Sequence, residues 1–153
     1  MRQDELIFAL ESLLDGECDR VTILANAAAL LFYELPELNW AGFYLSKRGC
    51  LALGPFQGRV ACTRIAFDRG VCGAAFSENR TVRVEDVHAF SGHIACDSAS
   101  RSELVVPLRH ADGTPFGVLD LDSPRTGRFT QADAALLERA AALIEAAWNN
   151  GED

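Results

Sequence analysis

Two apolar segments, ELVVPL at residues 103–108 and FGVLDLD at residues 116–122, flank a short polar stretch that contains ADGT. Both segments are rich in aliphatic and β-branched residues, and the stretch between them has the composition of a turn. A connection this short joins antiparallel strands, because parallel neighbours need a crossover of about a dozen residues or more. The chain is therefore expected to build its sheet from antiparallel pairs rather than from βαβ units.

Helices are predicted in the N-terminal third of the chain. Leu6, Ile7 and Leu10 recur at helical spacing, and a second helix is expected at about residues 21–33. The polar segment DGECDR separates the two helices, and Pro36 follows the second one as a stop signal.

The clearest helical pattern lies at the C-terminal end. Thr130 can cap this helix, and Asp133 favours the positive N-terminal end of the helix dipole. One face is apolar and carries Leu137, Ala140, Ala141, Ile144 and Trp148.

The remaining strands are predicted at NWAGFYLS (39–46), CLALGPF (50–56, closed by Gly54 and Pro55), residues 64–67 and TVRVED (81–86). A short helix is expected at 70–77, and a long loop at 87–102. The predicted fold is α+β, a single domain over residues 1–153. It has about six largely antiparallel strands, with the N- and C-terminal helices packed on one face and the long loops on the other.

Charge and composition exclude several classes of function. The net charge is -8 and the pI is about 4.8, which argues against binding to nucleic acid and to anionic membrane surfaces. The opening sequence MRQDELIFAL lacks a signal-peptide pattern, and no stretch is long and apolar enough for a membrane span. A cytoplasmic, reducing location is predicted, where cysteine clusters serve redox, catalytic or metal chemistry.

Three of the five cysteines, Cys62, Cys72 and Cys96, lie among glycines, small residues and charges in the middle of the chain. A thiolate can reduce a sulfoxide or peroxide, forming a sulfenic acid that a second thiol converts to a disulfide. The cluster therefore favours thiol redox chemistry, with Cys18 and Cys50 as bystanders. A nearby histidine can raise the thiolate fraction, and His93 precedes Cys96 by three residues.

A metal site is the weaker interpretation of the same residues. His88, His93 and Cys96 have donor side chains, and Cys62 and Cys72 could add two more. The chain contains no CxxC pair, however, and the spacing matches no common zinc signature. A loop histidine is also more often structural than catalytic. No metal is expected.

Acidic and aromatic residues form a second candidate cluster. Asp120 and Asp122 are two residues apart and so share one strand face, while Glu103 opens the neighbouring predicted strand. The alternative is that these acids lie at strand ends and face water. Trp40 and Tyr44 also share a face, either as walls of a pocket for a methyl or thioether group or simply as core residues.

Together these residues resemble the free methionine-(R)-sulfoxide reductases, a family with the GAF fold. The resemblance covers about residues 39–124 and includes all three central cysteines. Its most specific motifs are GPFQG, GVCG and HIACDSASRSE, within the stretches NWAGFYL, LGPFQGRVACTRIAFDRGVCG, VEDVHAFSGHIACDSASRSELVVPL and GVLDLDSP.

The resemblance implies a GAF-like catalytic domain that reduces free L-methionine-(R)-S-oxide to L-methionine without a cofactor. It implies that Cys96 is the catalytic thiol and that Cys62 and Cys72 take part in disulfide formation and recycling by thioredoxin. The substrate pocket it implies is lined by Trp40, Tyr44, Glu103, Asp120 and Asp122. Either Cys62 or Cys72 could resolve the sulfenic acid, with Cys62 slightly preferred, and either Asp122 or Glu103 could protonate the sulfoxide oxygen.

Two other functions fit the residues alone. A GAF-type module could bind a small ligand as a sensor, although such a sensor needs an output domain. A peroxide-reducing thiol protein is the third interpretation. The apolar terminal helices also allow a homodimer, unless their apolar faces are already buried against the sheet.

Overall fold

The computed structural model describes residues 2–92 and 98–153. Its helices are α1 (Gln3–Leu14), α2 (Arg20–Glu34), α3 (Gly70–Glu78) and α4 (Gln131–Asn149), with a 3-10 turn at Val87–Ala89. Its strands are β1 (Trp40–Lys47), β2 (Cys50–Gly58), β3 (Arg64–Ile65), β4 (Val82–Val84), β5 (Ser102–Arg109) and β6 (Pro115–Ser123). Among these described helices, none is long and apolar enough to cross a membrane.

The strands form one sheet in the order β3-β2-β1-β6-β5-β4. Every neighbouring pair is antiparallel, and the predicted hairpin is present as β5 and β6. The central pair, β1 and β6, joins the two halves of the chain and sets Trp40 opposite Asp122. The predicted α+β class and the six-stranded antiparallel sheet are confirmed.

Helices α1, α2 and α4 pack together on one face of the sheet, as predicted. Their apolar side chains meet fully buried strand residues such as Phe43, Leu104 and Leu119. Each such side chain stabilises the fold by about 1.5–3 kcal/mol through burial. The expected cap of α4 is also present, because Thr130 Oγ1 accepts a hydrogen bond from the Asp133 backbone N–H at 3.1 Å.

The opposite face carries a smaller hydrophobic cluster and the candidate site. The sequence predicts loops on this face, but α3 also packs here, with Val71, Cys72 and Ala75 buried. Gly73 allows the start of α3 to lie close to the segment that precedes it, since a Cβ at that position would lie 2.9 Å from the carbonyl oxygen of Phe67. One helix therefore fixes a cysteine against the sheet.

The prediction that Gly54 and Pro55 close the second strand is wrong, because β2 continues to Gly58. The pairing of β1 with β2 shifts by one residue between Gly42 and Tyr44. This shift marks a bulge in β2, at Gly54 and Pro55. A bulge tolerates proline because a residue there need not donate to the hydrogen-bond ladder.

Two edge strands are shorter than the sequence predicts. β3 covers Arg64–Ile65 rather than residues 64–67, and β4 covers Val82–Val84 rather than residues 81–86. Short edge strands present few unpaired backbone groups, which limits pairing with other chains.

Candidate functional site

The two predicted clusters meet on the face of the sheet that α3 partly covers. One row across three strands reads Trp40 on β1, Asp122 on β6 and Glu103 on β5, each directly opposite the next. Asp120 lies two residues before Asp122 on β6, opposite Gly42. Because side chains alternate along a strand, all four side chains project from the same face. The predicted shared faces are therefore present.

The aromatic residues form a stacked wall. The ring centroids of Trp40 and Tyr44 are 5.9 Å apart, and those of Trp40 and Phe56 are 5.2 Å apart. Phe56 was not among the predicted site residues, and its approach depends on the absence of a side chain at Gly42. A Cβ on that glycine would clash with Phe56. A glycine inside a predicted strand is the signal that could have indicated such an approach.

The polar ends of two of these aromatics hold the loop that carries Cys62. The Trp40 indole N–H donates to the carbonyl oxygen of Arg59 at 3.2 Å. The Tyr44 hydroxyl donates to the carbonyl oxygen of Cys62 at 2.9 Å. The aromatic wall thus fixes the loop backbone at both ends of residues 59–62.

A thiol and two carboxyl groups form the floor beside this wall. The sulfur of Cys72 and carboxyl oxygens of Glu103 and Asp120 lie within 4.8 Å of one another. The Cys72 thiol is 4.0 Å from Glu103 Oε2, a long S–H···O contact. All three residues are buried, and the neighbouring Asp122 is half-buried. The alternative interpretation, in which these acids simply face water, is wrong for Glu103 and Asp120.

Burial sets the protonation of the carboxyl groups. Desolvation raises the pKa of Glu103 well above its usual range, and the charge of Asp120 adds to the rise. Desolvation also raises the pKa of Asp120, although its contacts with Glu103 and Cys72 act in the opposite direction. The contact between the two acids therefore favours the proton on Glu103, as expected for carboxyls that share one site.

The thiol and the phenol in this site are also held in their neutral forms. Desolvation raises the pKa of the Cys72 thiol, and the charge of Asp120 raises it further. Desolvation raises the pKa of the Tyr44 hydroxyl as well, with Asp120 as the next contribution. Since the thiolate is the nucleophilic form, Cys72 is a poor nucleophile in these surroundings.

One buried acceptor in the site has no partner. Asp120 Oδ1 is inaccessible to solvent and accepts no hydrogen bond from any described residue. Leaving such a group unpaired costs about 1–3 kcal/mol. A cationic or hydrogen-donating ligand group at this position would recover that free energy.

The same donors could hold a metal ion. Cys72, Glu103 and Asp120 offer one sulfur and two oxygens, a set that zinc accepts. The ion would have to displace the protons that burial holds on these groups. The expectation of no metal stays a prediction.

The cysteines differ in redox state. Cys62, which is half-buried, is disulfide-bonded. Cys18, Cys50 and Cys72 are free thiols, and among them Cys18 is exposed and Cys72 buried. Cys96, the predicted nucleophile, and His93, which precedes it by three residues, lie outside the described residues, and His88 is exposed on the 3-10 turn. The loop before β3 positions Cys62 beside Tyr44, and α3 positions Cys72.

Comparison with known proteins identifies the family to which this fold corresponds. The GAF domain family matches residues 9–148. The chain is 51% identical over 134 residues to the free methionine-R-sulfoxide reductase of Escherichia coli (strain K12), covering 88% of this chain and 81% of that protein. It is 52% identical over 144 residues to Protein YtsP of Bacillus subtilis (strain 168), covering 93% and 88% respectively.

A solved structure extends the agreement to three dimensions. The X-ray structure of free methionine-R-sulfoxide reductase from Neisseria meningitidis, in complex with its substrate, superposes with a TM-score of 0.93 at 45% identity. The match covers 97% of this chain and 89% of that one. The chain belongs to the GAF-fold family of free methionine-(R)-sulfoxide reductases.

Proposed function

We propose that this oxidoreductase reduces free L-methionine-(R)-S-oxide to L-methionine. The observation that carries the proposal is the buried acid pair, Glu103 and Asp120, beside the stacked rings of Trp40 and Tyr44. The rings suit the methyl and thioether part of the substrate. The unpaired oxygen of Asp120 suits the substrate's ammonium group.

The reaction needs a proton on the sulfoxide oxygen, which is otherwise a poor leaving group. Glu103 is the stronger of the two predicted donors, because burial and Asp120 raise its pKa well above the usual range and so favour its protonated form. Asp122 lies directly opposite Glu103 in the sheet and can share the binding of polar substrate groups. We therefore assign the proton transfer to Glu103.

Cys96 is the proposed nucleophile. Its thiolate attacks the sulfoxide sulfur while Glu103 delivers a proton to the oxygen. The hydroxyl group then passes to the cysteine sulfur, so that the sulfur–oxygen bond of the substrate and the transient sulfur–sulfur bond both break. Cys96 is left as a sulfenic acid, and methionine is released. The thiol of Cys62 then attacks the sulfenic sulfur, which expels water and forms a disulfide. That Cys62 is disulfide-bonded while Cys72 is a free, buried thiol supports Cys62 as the resolving residue.

The cycle closes when an external dithiol supplies two electrons and two protons to the disulfide. Thioredoxin is the proposed reductant, and a cytoplasmic location fits that requirement. A homodimer stays a prediction. The exposed apolar side chains of Phe8 on α1 and Tyr33 on α2 offer it a surface.

The activity is tested by incubating the protein with free methionine-(R)-sulfoxide and dithiothreitol and measuring methionine. We expect methionine from the R epimer and none above background from the S epimer, which serves as the matched control. The N-acetyl methyl amide of the R epimer should react poorly, because its blocked amine cannot pair with Asp120. Absence of methionine from the free R epimer would refute the proposal.

The disulfide assignment is tested separately by peptide mapping after oxidation with substrate. We expect a bridge between Cys96 and Cys62, with Cys72 still alkylated by a thiol reagent. Cys18→Ser and Cys50→Ser should leave turnover nearly unchanged, since neither residue lies in the site. Bridges found only at Cys18 or Cys50 would contradict the assignment.

A further inference from the structure

The loop before β3 presents an apolar side chain to solvent beside the disulfide. Val60 is 86% exposed and precedes Cys62 by two residues. The other large exposed apolar side chains among the described residues lie on α1 and α2, and are Phe8, Leu13, Val21 and Tyr33. Scattered apolar residues on a surface need no explanation, but Val60 is separate from that group and lies two residues from a disulfide-bonded cysteine.

The backbone of this loop is held in place. Trp40 and Tyr44 bind the carbonyl oxygens of Arg59 and Cys62, one at each end of the four-residue segment. Beyond it, the backbone N–H of Leu53 binds the carbonyl oxygen of Thr63 at 3.0 Å. Fixed on the inside, the loop presents Val60 outwards without further ordering cost, which favours association.

The charge of the loop is opposite to that of the protein. The chain carries a net charge of -8, but residues 59–64 (RVACTR) contain two arginines and no acid. Both Arg59 and Arg64 are exposed. A local positive patch on an acidic protein steers a partner that presents negative charge around its contact surface.

We propose that residues 59–64 form the docking surface for the protein dithiol that recycles the enzyme, with Val60 as the apolar contact and Arg59 and Arg64 as its charged edge. The inference rests on the proposed function, since it presumes that a dithiol reduces the Cys62 disulfide. The partner presents an apolar patch next to its reactive thiol and acidic residues around it. Thioredoxin is the probe for this chemistry.

Docking here directs the attack to one sulfur. The partner's thiolate attacks the sulfur of Cys62, which breaks the disulfide, and the displaced thiolate of the other cysteine takes up a proton. The partner's second thiol then attacks the mixed disulfide and releases Cys62, which takes up the second proton. Two electrons and two protons pass from the dithiol to the enzyme, and the partner leaves oxidised.

The test is steady-state reduction of free methionine-(R)-sulfoxide by Val60→Glu, with either thioredoxin or dithiothreitol as reductant. Glutamate removes the apolar contact and introduces a charge that opposes an acidic partner. We expect the KM for thioredoxin to rise about tenfold or more, as for loss of a central interface contact. The KM for the sulfoxide and the turnover with dithiothreitol should match the parent, because a small dithiol needs no docking surface.

Val21→Glu is the matched control, since Val21 is also exposed, at 67%, but lies on α2. This variant should keep the parent's KM for thioredoxin and the parent's turnover with dithiothreitol. If Val60→Glu keeps the parent's KM for thioredoxin, the docking surface is elsewhere. If the parent fails to turn over even with dithiothreitol, the proposed function fails instead, so the two failures are distinguishable.

A second measurement identifies the attacked sulfur. Thioredoxin in which the resolving cysteine is replaced by serine should be trapped on the oxidised enzyme as a mixed disulfide. We expect peptide mapping to find it at Cys62. A mixed disulfide at Cys96 or Cys72 would overturn the proposed direction of attack.

Discussion

Replacing Cys96 with serine should abolish methionine formation in both single-turnover and multiple-turnover assays. Serine keeps the size of the side chain, but its hydroxyl cannot form the sulfenic acid that carries the oxygen away. The loss should therefore be complete even when dithiothreitol is in excess. The measurement is the amount of methionine formed per mole of fully reduced protein, from free methionine-(R)-sulfoxide.

The other cysteines give this experiment its controls. Cys62→Ser should still form up to one methionine per protein, because the first thiol reacts before the resolving thiol is needed. Its thioredoxin-supported turnover should fall sharply. Cys18→Ser should behave like the parent in both assays, since Cys18 is exposed in the connection between α1 and α2.

Stoichiometric methionine from Cys96→Ser would transfer the role of nucleophile to Cys72. The surroundings of Cys72 argue against that outcome. Burial, followed by the charge of Asp120, raises the pKa of this thiol and suppresses the reactive thiolate. In the proposed mechanism Cys72 instead stays a neutral thiol in the floor of the pocket, in contact with Glu103.

The sheet and the shared faces of the site were predictable from local patterns. The turn between β5 and β6 set the antiparallel pairing, and a spacing of two placed Asp120 and Asp122 on one face. The spacing of residues along one strand does not determine which residue of the neighbouring strand lies opposite. Trp40 stands opposite Asp122 only because distant segments pair as β1 and β6, which no local pattern specifies.

The bulge in β2 and the burial of Glu103 depend on tertiary contacts, which the local sequence does not predict. The bulge in β2 carries the strand past Gly54 and Pro55, two residues that normally end one. The burial of Glu103 follows from the packing of α3 over the sheet, so the sequence left open whether this acid faces water. The sequence offered both Asp122 and Glu103 as proton donors. The burial of Glu103, which raises its pKa, favours Glu103.

Glu103→Gln should slow the chemical step by about 10²–10⁴-fold, the usual contribution of a positioned general acid. Glutamine keeps the size and can still donate a hydrogen bond to Asp120, but it cannot deliver a proton to the sulfoxide oxygen. The rate to measure is single-turnover methionine formation as a function of pH. In the parent, this rate should fall at alkaline pH as Glu103 loses its proton. The variant should lose that dependence.

The same substitution should stabilise the protein. Because the pKa of Glu103 is raised on folding, its contribution to stability is complete below its ordinary value of 4.5 and is lost as the pH rises towards the folded value. Above that ordinary value, folding of the parent therefore favours uptake of a proton at a site where the unfolded chain is ionised. Glutamine avoids that cost, so the variant should melt at a higher temperature at pH 7 and vary less with pH.

Slower chemistry together with higher stability is the pattern expected of a catalytic acid held in an unfavourable environment. A residue that serves only the fold would give the opposite sign, since its loss lowers the melting temperature. Glu138→Gln, at an exposed position on α4, is the matched control and should change neither quantity. If Glu103→Gln reduces the sulfoxide at the parent's rate, Glu103 does not supply the proton, and Asp122 becomes the donor to test next.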